Sequence, residues 1–418
     1  MVALLEGVRV LDLTTILAGP FAAYQLSLMG ADVIKLEIPT GGDLAREIGD
    51  DETLRAASMG ASFLAQNSGK RSMTIDLKRS QGREVFERLI RNADVLLENM
   101  RPGVLERLGF PWSTIHEMNP KLIYCAVSGF GQTGPLAGRP AYDQIIQGLA
   151  GMSDVTGLPD GGPLRVGFPI CDTLGGFSAA MAICAALTRR AHDDVGCFLD
   201  VSMLETALTA MGWVVSEHLI TGRIAERFGN DNAASSPSGT FQTGDGLLNI
   251  AANTQTQFES VCEVVARTDL IDDPRFLSRF ERKQHRRELT KELESALGAC
   301  GAKEWEERFA AVSVPAGRLL TLEEALGQEQ IAQRELLHDV EVGLPDRRTV
   351  TVLGSGVHVD GESQRSANTP SKSWSNSATR TKRLRRCEVP VWSDVSTIRS
   401  TTYEREEGRN GSHVVSES

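Results

Sequence analysis

Gly7-Val-Arg-Val-Leu-Asp-Leu-Thr-Thr-Ile-Leu-Ala-Gly-Pro-Phe-Ala-Ala-Tyr-Gln-Leu-Ser-Leu-Met-Gly-Ala-Asp-Val-Ile-Lys-Leu-Glu37 holds two short apolar runs on either side of a stretch that is apolar at helical spacing. Val8–Leu13 and Asp32–Leu36 read as strands, and Phe21–Met29 as the helix that joins them. Two strands connected through a helix must run parallel, and their sheet is then covered by helices on both faces. The alternation continues downstream. Ser72–Leu77, Asp94–Leu97, Leu122–Val127 and Phe198–Val201 read as further strands, and Arg79–Asn92 and Leu174–Arg189 as helices. The fold class is therefore α/β, with a Rossmann-like large domain and parallel sheet over residues 1–200. Ligands of open α/β sheets gather beyond the carboxyl ends of the strands. That rule draws attention to the residues following the carboxyl ends of these strands.

Met203–Leu219 reads as one long helix leaving the large domain, within a linker over 201–224. A Gly/Ser/Asn-rich passage precedes a strand at Leu247–Ala252 and helices at Thr256–Ala266, Arg286–Gly298 and Ala302–Val312, giving a smaller α+β domain over 225–325. From 363 to 418 the chain is rich in Ser, Thr, Asn and Arg without apolar periodicity, and reads as an atypical, disordered tail. The run Arg380-Thr-Lys-Arg-Leu-Arg-Arg386 inside it reads as a solvated charge cluster.

A formal charge of −11 over 418 residues argues against nucleic acid as a partner, since phosphate backbones require a basic face. The seven cysteines are scattered, without the spacing of a disulfide framework or a metal site, so no metal is expected. Met1-Val-Ala-Leu-Leu-Glu6 has no basic leader, and no apolar run approaches membrane-spanning length. A cytoplasmic protein without a membrane partner is the expectation.

Asp172 lies in Gly167-Phe-Pro-Ile-Cys-Asp-Thr-Leu-Gly-Gly176, at or just before a helix start. A carboxylate there serves as a cap, or as a nucleophile toward acyl or phosphoryl centres. Local sequence leaves both readings open. The blocks around it narrow the choice. They are the opening stretch quoted above, Asn67-Ser-Gly-Lys-Arg-Ser72, Glu98-Asn-Met-Arg-Pro-Gly103, Ser128-Gly-Phe-Gly-Gln-Thr-Gly-Pro135, Tyr142-Asp-Gln-Ile-Ile-Gln-Gly148 and Asp200-Val-Ser-Met-Leu-Glu-Thr-Ala207. In order and spacing over roughly residues 5 to 360 they resemble the class III CoA-transferase family, which also contains formyl-CoA and carnitine CoA-transferases and the α-methylacyl-CoA racemases.

The resemblance implies a nucleophilic Asp172 and an interlocked homodimer, with the chain returning to the large domain over 326–362. It implies CoA contacts at Leu17, Ala18, Asn67, Ser68, Gly69, Lys70, Arg71, Asn99, Met100, Arg101, Arg107, Arg139 and Tyr142. A substrate pocket would include Asp143, Ser238 and Gly239. Acyl-CoA and a carboxylic acid would be the partners, with no cofactor beyond coenzyme A as substrate. Backbone N–H groups at Thr173 to Gly175 would stabilise oxyanions.

Four departures from the family pattern qualify this. Tyr142 stands where racemases carry the histidine that exchanges the α-proton, and a phenol is a poor substitute for imidazole near neutral pH. Leu17 replaces the glutamine of formyl-CoA transferases, which disfavours formyl-CoA and oxalate as the natural pair. Ile38 falls where some members have an arginine. Ser235-Ser-Pro-Ser-Gly-Thr240 stands in place of a poly-Gly loop. CoA transfer is the reading. An acyl-CoA racemase or epimerase and a non-catalytic CoA-binding protein are the alternatives.

Overall fold

A computed structural model describes residues 3–342 and 348–364. The atypical tail therefore lies outside the described residues from 365 onward. Six strands, β1 (Arg9–Asp12), β2 (Asp32–Glu37), β3 (Arg71–Thr74), β4 (Val95–Glu98), β5 (Ile123–Ser128) and β6 (Cys197–Ser202), form one sheet in the order β3-β2-β1-β4-β5-β6. Every neighbouring pair is parallel. Strand side chains alternate between two cores. Val10, Val33, Val95, Leu97, Ile123 and Cys125 face one side, whereas Leu11, Ile34, Leu96, Tyr124 and Ala126 face the other. A sheet buried on both faces needs nearly continuous apolar strands, which is how these segments read. The order reverses direction between β1 and β4, and the crevice above that point is where such sheets bind ligands.

Helix α1 (Ala18–Leu28) follows β1, and α2 (Ser80–Arg91) follows β3. A short helix, α3 (Asp143–Leu149), precedes the long α4 (Ile170–Asp193). Small residues let α1 and α4 approach closely. A Cβ on Gly176 would come within 2.6 Å of the Ala18 carbonyl oxygen and 2.8 Å of the Phe21 ring, so the helix pair is fitted to a bare backbone there. At 24 residues, α4 is long and apolar enough to cross a membrane by length and composition, contrary to the expectation from sequence. Its place is in the core: Cys171, Gly175, Ala179 and Ile183 are buried against α1 and the sheet.

The single long helix read over Met203–Leu219 is instead two, α5 (Met203–Ala210) and α6 (Gly212–Thr221). Glycine at 212 carries the helix poorly, and Met211 leaves helical geometry between them. Beyond the linker, β7 (Ser238–Gln242), β8 (Leu247–Ala251) and β9 (Ala316–Arg318) make a small antiparallel sheet. Helices α7 (Gln255–Val264), α8 (Arg286–Leu297) and α9 (Ala302–Ala311) pack on it around Phe258, Trp305 and Phe309. The chain then comes back to the large domain. The hairpin Leu337–Glu341 and Thr349–Leu353 lies against it, with the Tyr24 hydroxyl donating to the Leu353 carbonyl at 2.7 Å.

Gly176→Val is expected to lower unfolding stability by about 1–3 kcal/mol, because the added methyls meet α1 backbone that cannot yield. Chemical denaturation checks this, read as a lower midpoint at an unchanged slope.

Candidate active site

The crevice at the strand-order reversal is a cavity of about 310 Å³. Its walls come from the turn after β1, the loop after β4, the loop after β5 and the start of α4. Leu17, Ala18, Asn99, Met100, Arg101, Arg139, Tyr142 and Asp172 all line it. Residues far apart in sequence thus converge, because each follows the carboxyl end of a neighbouring strand or begins a helix above that end.

Asp172 is the third residue of α4, after Pro169 at the cap position. Helix starts ordinarily favour a carboxylate by offering it N–H groups. Here another carboxylate has taken them. Asp143, buried at the start of α3, accepts from Cys171 N at 2.7 Å and from Asp172 N at 3.4 Å through Oδ1. Its Oδ2 accepts from Gln147 Nε2 at 2.6 Å, and Gln147 Oε1 accepts in turn from Val166 N at 2.8 Å. Asp143 therefore caps α4 and not its own helix. The Asp172 carboxylate has no hydrogen-bond or ion-pair partner among the described residues. Burial, with the Asp143 charge added, pushes it from 3.8 up to about 7.

The N–H groups expected to serve oxyanions are committed elsewhere. Thr173 N donates to Pro169 O at 3.1 Å, and Cys171 and Asp172 serve Asp143. At α1 the situation is reversed. The N–H groups of Leu17, Ala18 and Gly19 have no acceptor among the described residues, and Leu17 and Ala18 are in the cavity wall. The turn before them holds Ile16 at φ +70°, the one β-branched residue in left-handed geometry among the described residues. Such a conformation costs about 1–3 kcal/mol. Asn99 clamps the turn, accepting from Thr15 N at 2.9 Å and donating to Thr15 O at 2.8 Å.

Arg101 and Arg139 are exposed, and neither guanidinium has an ion-pair partner among the described residues. The other basic positions singled out in the sequence do not line the cavity. The Lys70 ammonium is buried and bonded to Asp12 Oδ2 at 2.8 Å, Asn67 Oδ1 at 2.8 Å and Pro20 O at 2.9 Å. Asn67 and Ser68 are themselves turned inward, donating to Phe63 O and Leu64 O. Arg71 begins β3 and its side chain runs back to Asp32 at the start of β2, away from the carboxyl ends. Gly69 adjoins Lys70 outside the lining, and Arg107 lies beside Gly103. Ser238 and Gly239 line a different and larger cavity of about 1260 Å³, between α6, the segment after it and the small domain.

Several buried charged residues behind the cavity lining escaped the sequence reading. Lys35 and Asp43 form a buried pair at 2.9 Å, and Asp12 is held below the usual carboxylate range by the Lys70 and Lys35 ammoniums, against the opposing effect of burial. Glu98, buried at the end of β4, accepts from Met100 N at 2.5 Å and is pushed up to about 7 by burial. The available signal was a lysine or carboxylate inside an otherwise apolar strand, which is rarely buried unless paired.

A model of CoA-transferase family III matches residues 5–372. The chain is 36% identical over 360 residues to a succinate–glutarate CoA-transferase of Agrobacterium fabrum, covering 84% of this chain and 89% of that protein. It is 38% identical over 336 residues to an acetyl-CoA:oxalate CoA-transferase of Acetobacter aceti, covering 79% of this chain and 85% of that one. A crystal structure of a CaiB/BaiF family protein from Brucella suis superposes with a TM-score of 0.76 at 32% identity, over 88% of this chain and 95% of the other. The chain belongs to CoA-transferase family III, and it is an enzyme of that class.

Two outcomes are expected from the site's electrostatics. The fold raises Asp172 above its unfolded value, so its contribution to stability is full below about pH 4 and is lost as pH rises through about 7. Asp172→Asn should therefore match wild type near pH 4 and exceed it at pH 8, by on the order of 2 kcal/mol after allowance for partial exposure, as read by thermal unfolding at both pH values. Lys70→Met takes away the ion-pair partner of the buried Asp12 charge. It should cost about 3–5 kcal/mol of stability, whereas loss of a phosphate contact would chiefly raise KM for acyl-CoA.

Proposed function

We propose that this enzyme moves CoA from an acyl-CoA to a free carboxylic acid through covalent intermediates on Asp172. The observation that carries the reading is the state of that carboxylate: fixed by its backbone, open to the cavity and without a partner to blunt it. A carboxylate oxygen of Asp172 attacks the thioester carbonyl, the C–S bond breaks, and CoA leaves as thiolate with the bonding pair. The product on the enzyme is a mixed anhydride. The thiolate then attacks the aspartyl carbonyl carbon, the anhydride C–O bond breaks, and the first acid departs as carboxylate. An incoming carboxylate reverses the two steps on the resulting aspartyl-CoA thioester. Only carboxylates and a thiolate exchange, so no proton moves and no general base is required. The cavity lining, which includes no histidine, suits this chemistry.

Each tetrahedral intermediate carries an oxyanion. The unpaired N–H groups of Leu17, Ala18 and Gly19, at the positive end of α1, are its natural donors. Arg101 and Arg139 supply the cations for the phosphates of CoA, with Asn99, Met100 and Tyr142 beside them. The acids in the names of the two relatives are succinate, glutarate and oxalate, and a short dicarboxylate is accordingly the acceptor class we propose. The absence of imidazole at 142 supports transfer over racemisation. We also propose that the enzyme works as a homodimer. Helix α6 has no buried residue, and Trp213, Leu219, Ile220 and Ile224 expose an apolar face beside the larger cavity.

Treatment with acyl-CoA and hydroxylamine is expected to leave a hydroxamate on Asp172, located by peptide mass spectrometry. Asp172→Asn should lose transfer by about three orders of magnitude or more. Turnover near the wild-type level in a verified Asn sample would overturn the assignment. Because Asp172 must be ionised to attack, kcat/KM should fall as pH drops below about 7. In heavy water, protein-dependent deuterium entry at the α-carbon of a 2-methylacyl-CoA would favour the racemase instead.

A further inference from the structure

The turn between β1 and α1 is held by side chains at almost every backbone polar group. Thr14 N donates to Asp12 Oδ1 at 3.0 Å, and Thr14 O accepts from Lys35 Nζ at 2.8 Å. Thr15 N and O are both taken by Asn99. Ile16 N donates to Asp43 Oδ1 at 3.0 Å, and the other oxygen of Asp43 is paired with Lys35 at 2.9 Å. Asp43 is completely buried, as is Lys35. Its own backbone N–H is fixed by Glu37 Oε1 at 2.9 Å. Of the side chains that hold the turn, only Asn99 lines the cavity, whereas Asp12, Glu37, Lys35 and Asp43 lie behind it. Yet they converge on one residue, Ile16, whose positive φ the β-branched side chain resists. A sparsely populated backbone state persists only where its surroundings over-determine it. Leu17 and Ala18, immediately after Ile16, line the same cavity as Asp172, and their N–H groups have no acceptor among the described residues.

We infer that Asp43 is a positioning residue for the transfer reaction: by holding Ile16 N–H while it is itself locked by Lys35, it imposes the turn that presents the first amides of α1 to the Asp172 cavity. The inference rests on the proposed role of those amides. It separates two functions that a buried ion pair can have. A pair that only stabilised the fold would leave the activity of folded molecules unchanged on removal. A pair that sets the turn acts on the transition state, because oxyanion donors must be in place before charge develops.

The strain at Ile16 supplies the test. Glycine adopts a positive φ without penalty, so a chain with Ile16→Gly needs less help from Asp43 to make the turn. Wild type, Ile16→Gly, Asp43→Asn and the double variant are compared at equal folded fraction, measured by circular dichroism, with succinyl-CoA and glutarate as probes. Asp43→Asn is expected to lower kcat about tenfold or more while KM for succinyl-CoA stays within about threefold, and adding Ile16→Gly should restore about half of that loss on a logarithmic scale. If Asp43→Asn does not fold, Lys35→Met with Asp43→Leu removes both charges, so that neither is left buried and unpaired, and the same comparison is made with and without Ile16→Gly. An unchanged kcat, a change confined to KM, or a loss that glycine does not relieve overturns the inference. A wild type that moves no CoA among a panel of acyl-CoA donors and acids overturns the reaction itself, a separate result.

Discussion

The carboxylate of Asp143 governs the state of Asp172. It occupies the N–H groups at the start of α4, fixing the backbone of Cys171 and Asp172, and its charge adds to burial in lifting Asp172 to about 7. A helix start would otherwise stabilise Asp172 as an anion and blunt it. With those donors already filled, Asp172 gains position from the helix without being stabilised by it as an anion. Gln147 completes the device by pinning Asp143 from the other side. Two carboxylates in one neighbourhood thus differ sharply: one is hydrogen-bonded through both oxygens, the other unpartnered and pushed up by burial.

The same division recurs among the cations. Lys35 and Lys70 are buried in ion pairs under the turn after β1, while Arg101 and Arg139 remain exposed without ion-pair partners among the described residues. Ammonium groups suit the interior here because each is a compact donor that can meet several oxygens at once, as Lys70 does. Planar guanidinium groups at the rim suit phosphate oxygens. Removing two charges from water is expensive unless the geometry is complete. In this protein the expense is tied to holding a turn that a β-branched residue disfavours.

Close packing makes the convergence possible. Gly176 brings α4 against the first turn of α1, so the helix bearing Asp172 and the helix bearing the unpaired amides both line the crevice. Gly175 likewise lies beneath Met203, at the start of α5.

Much of this was legible in the sequence. The β-α-β pattern of residues 7–37 placed the strands to within one or two residues, because a sheet buried on both faces requires apolar runs and the linking helix requires its own period. Asp172 and the loop residues Leu17, Asn99, Arg101, Arg139 and Tyr142 were found from blocks of sequence, and they line one cavity. Other features were out of reach. A lysine in a polar loop looks the same whether it meets a phosphate or Asp12, since a partner 58 positions away leaves no local mark. Asp143, expected in a substrate pocket, is buried outside the cavity lining and caps α4. The break at Gly212 yielded to a weak local preference that the apolar pattern had concealed. Local periodicity is written in neighbouring residues, so the chain alone determined most of its elements and brought Asp172 to notice. Which charges are spent inward and which remain for a ligand depends on long-range packing, because burial and pairing are properties of surroundings that distant segments create.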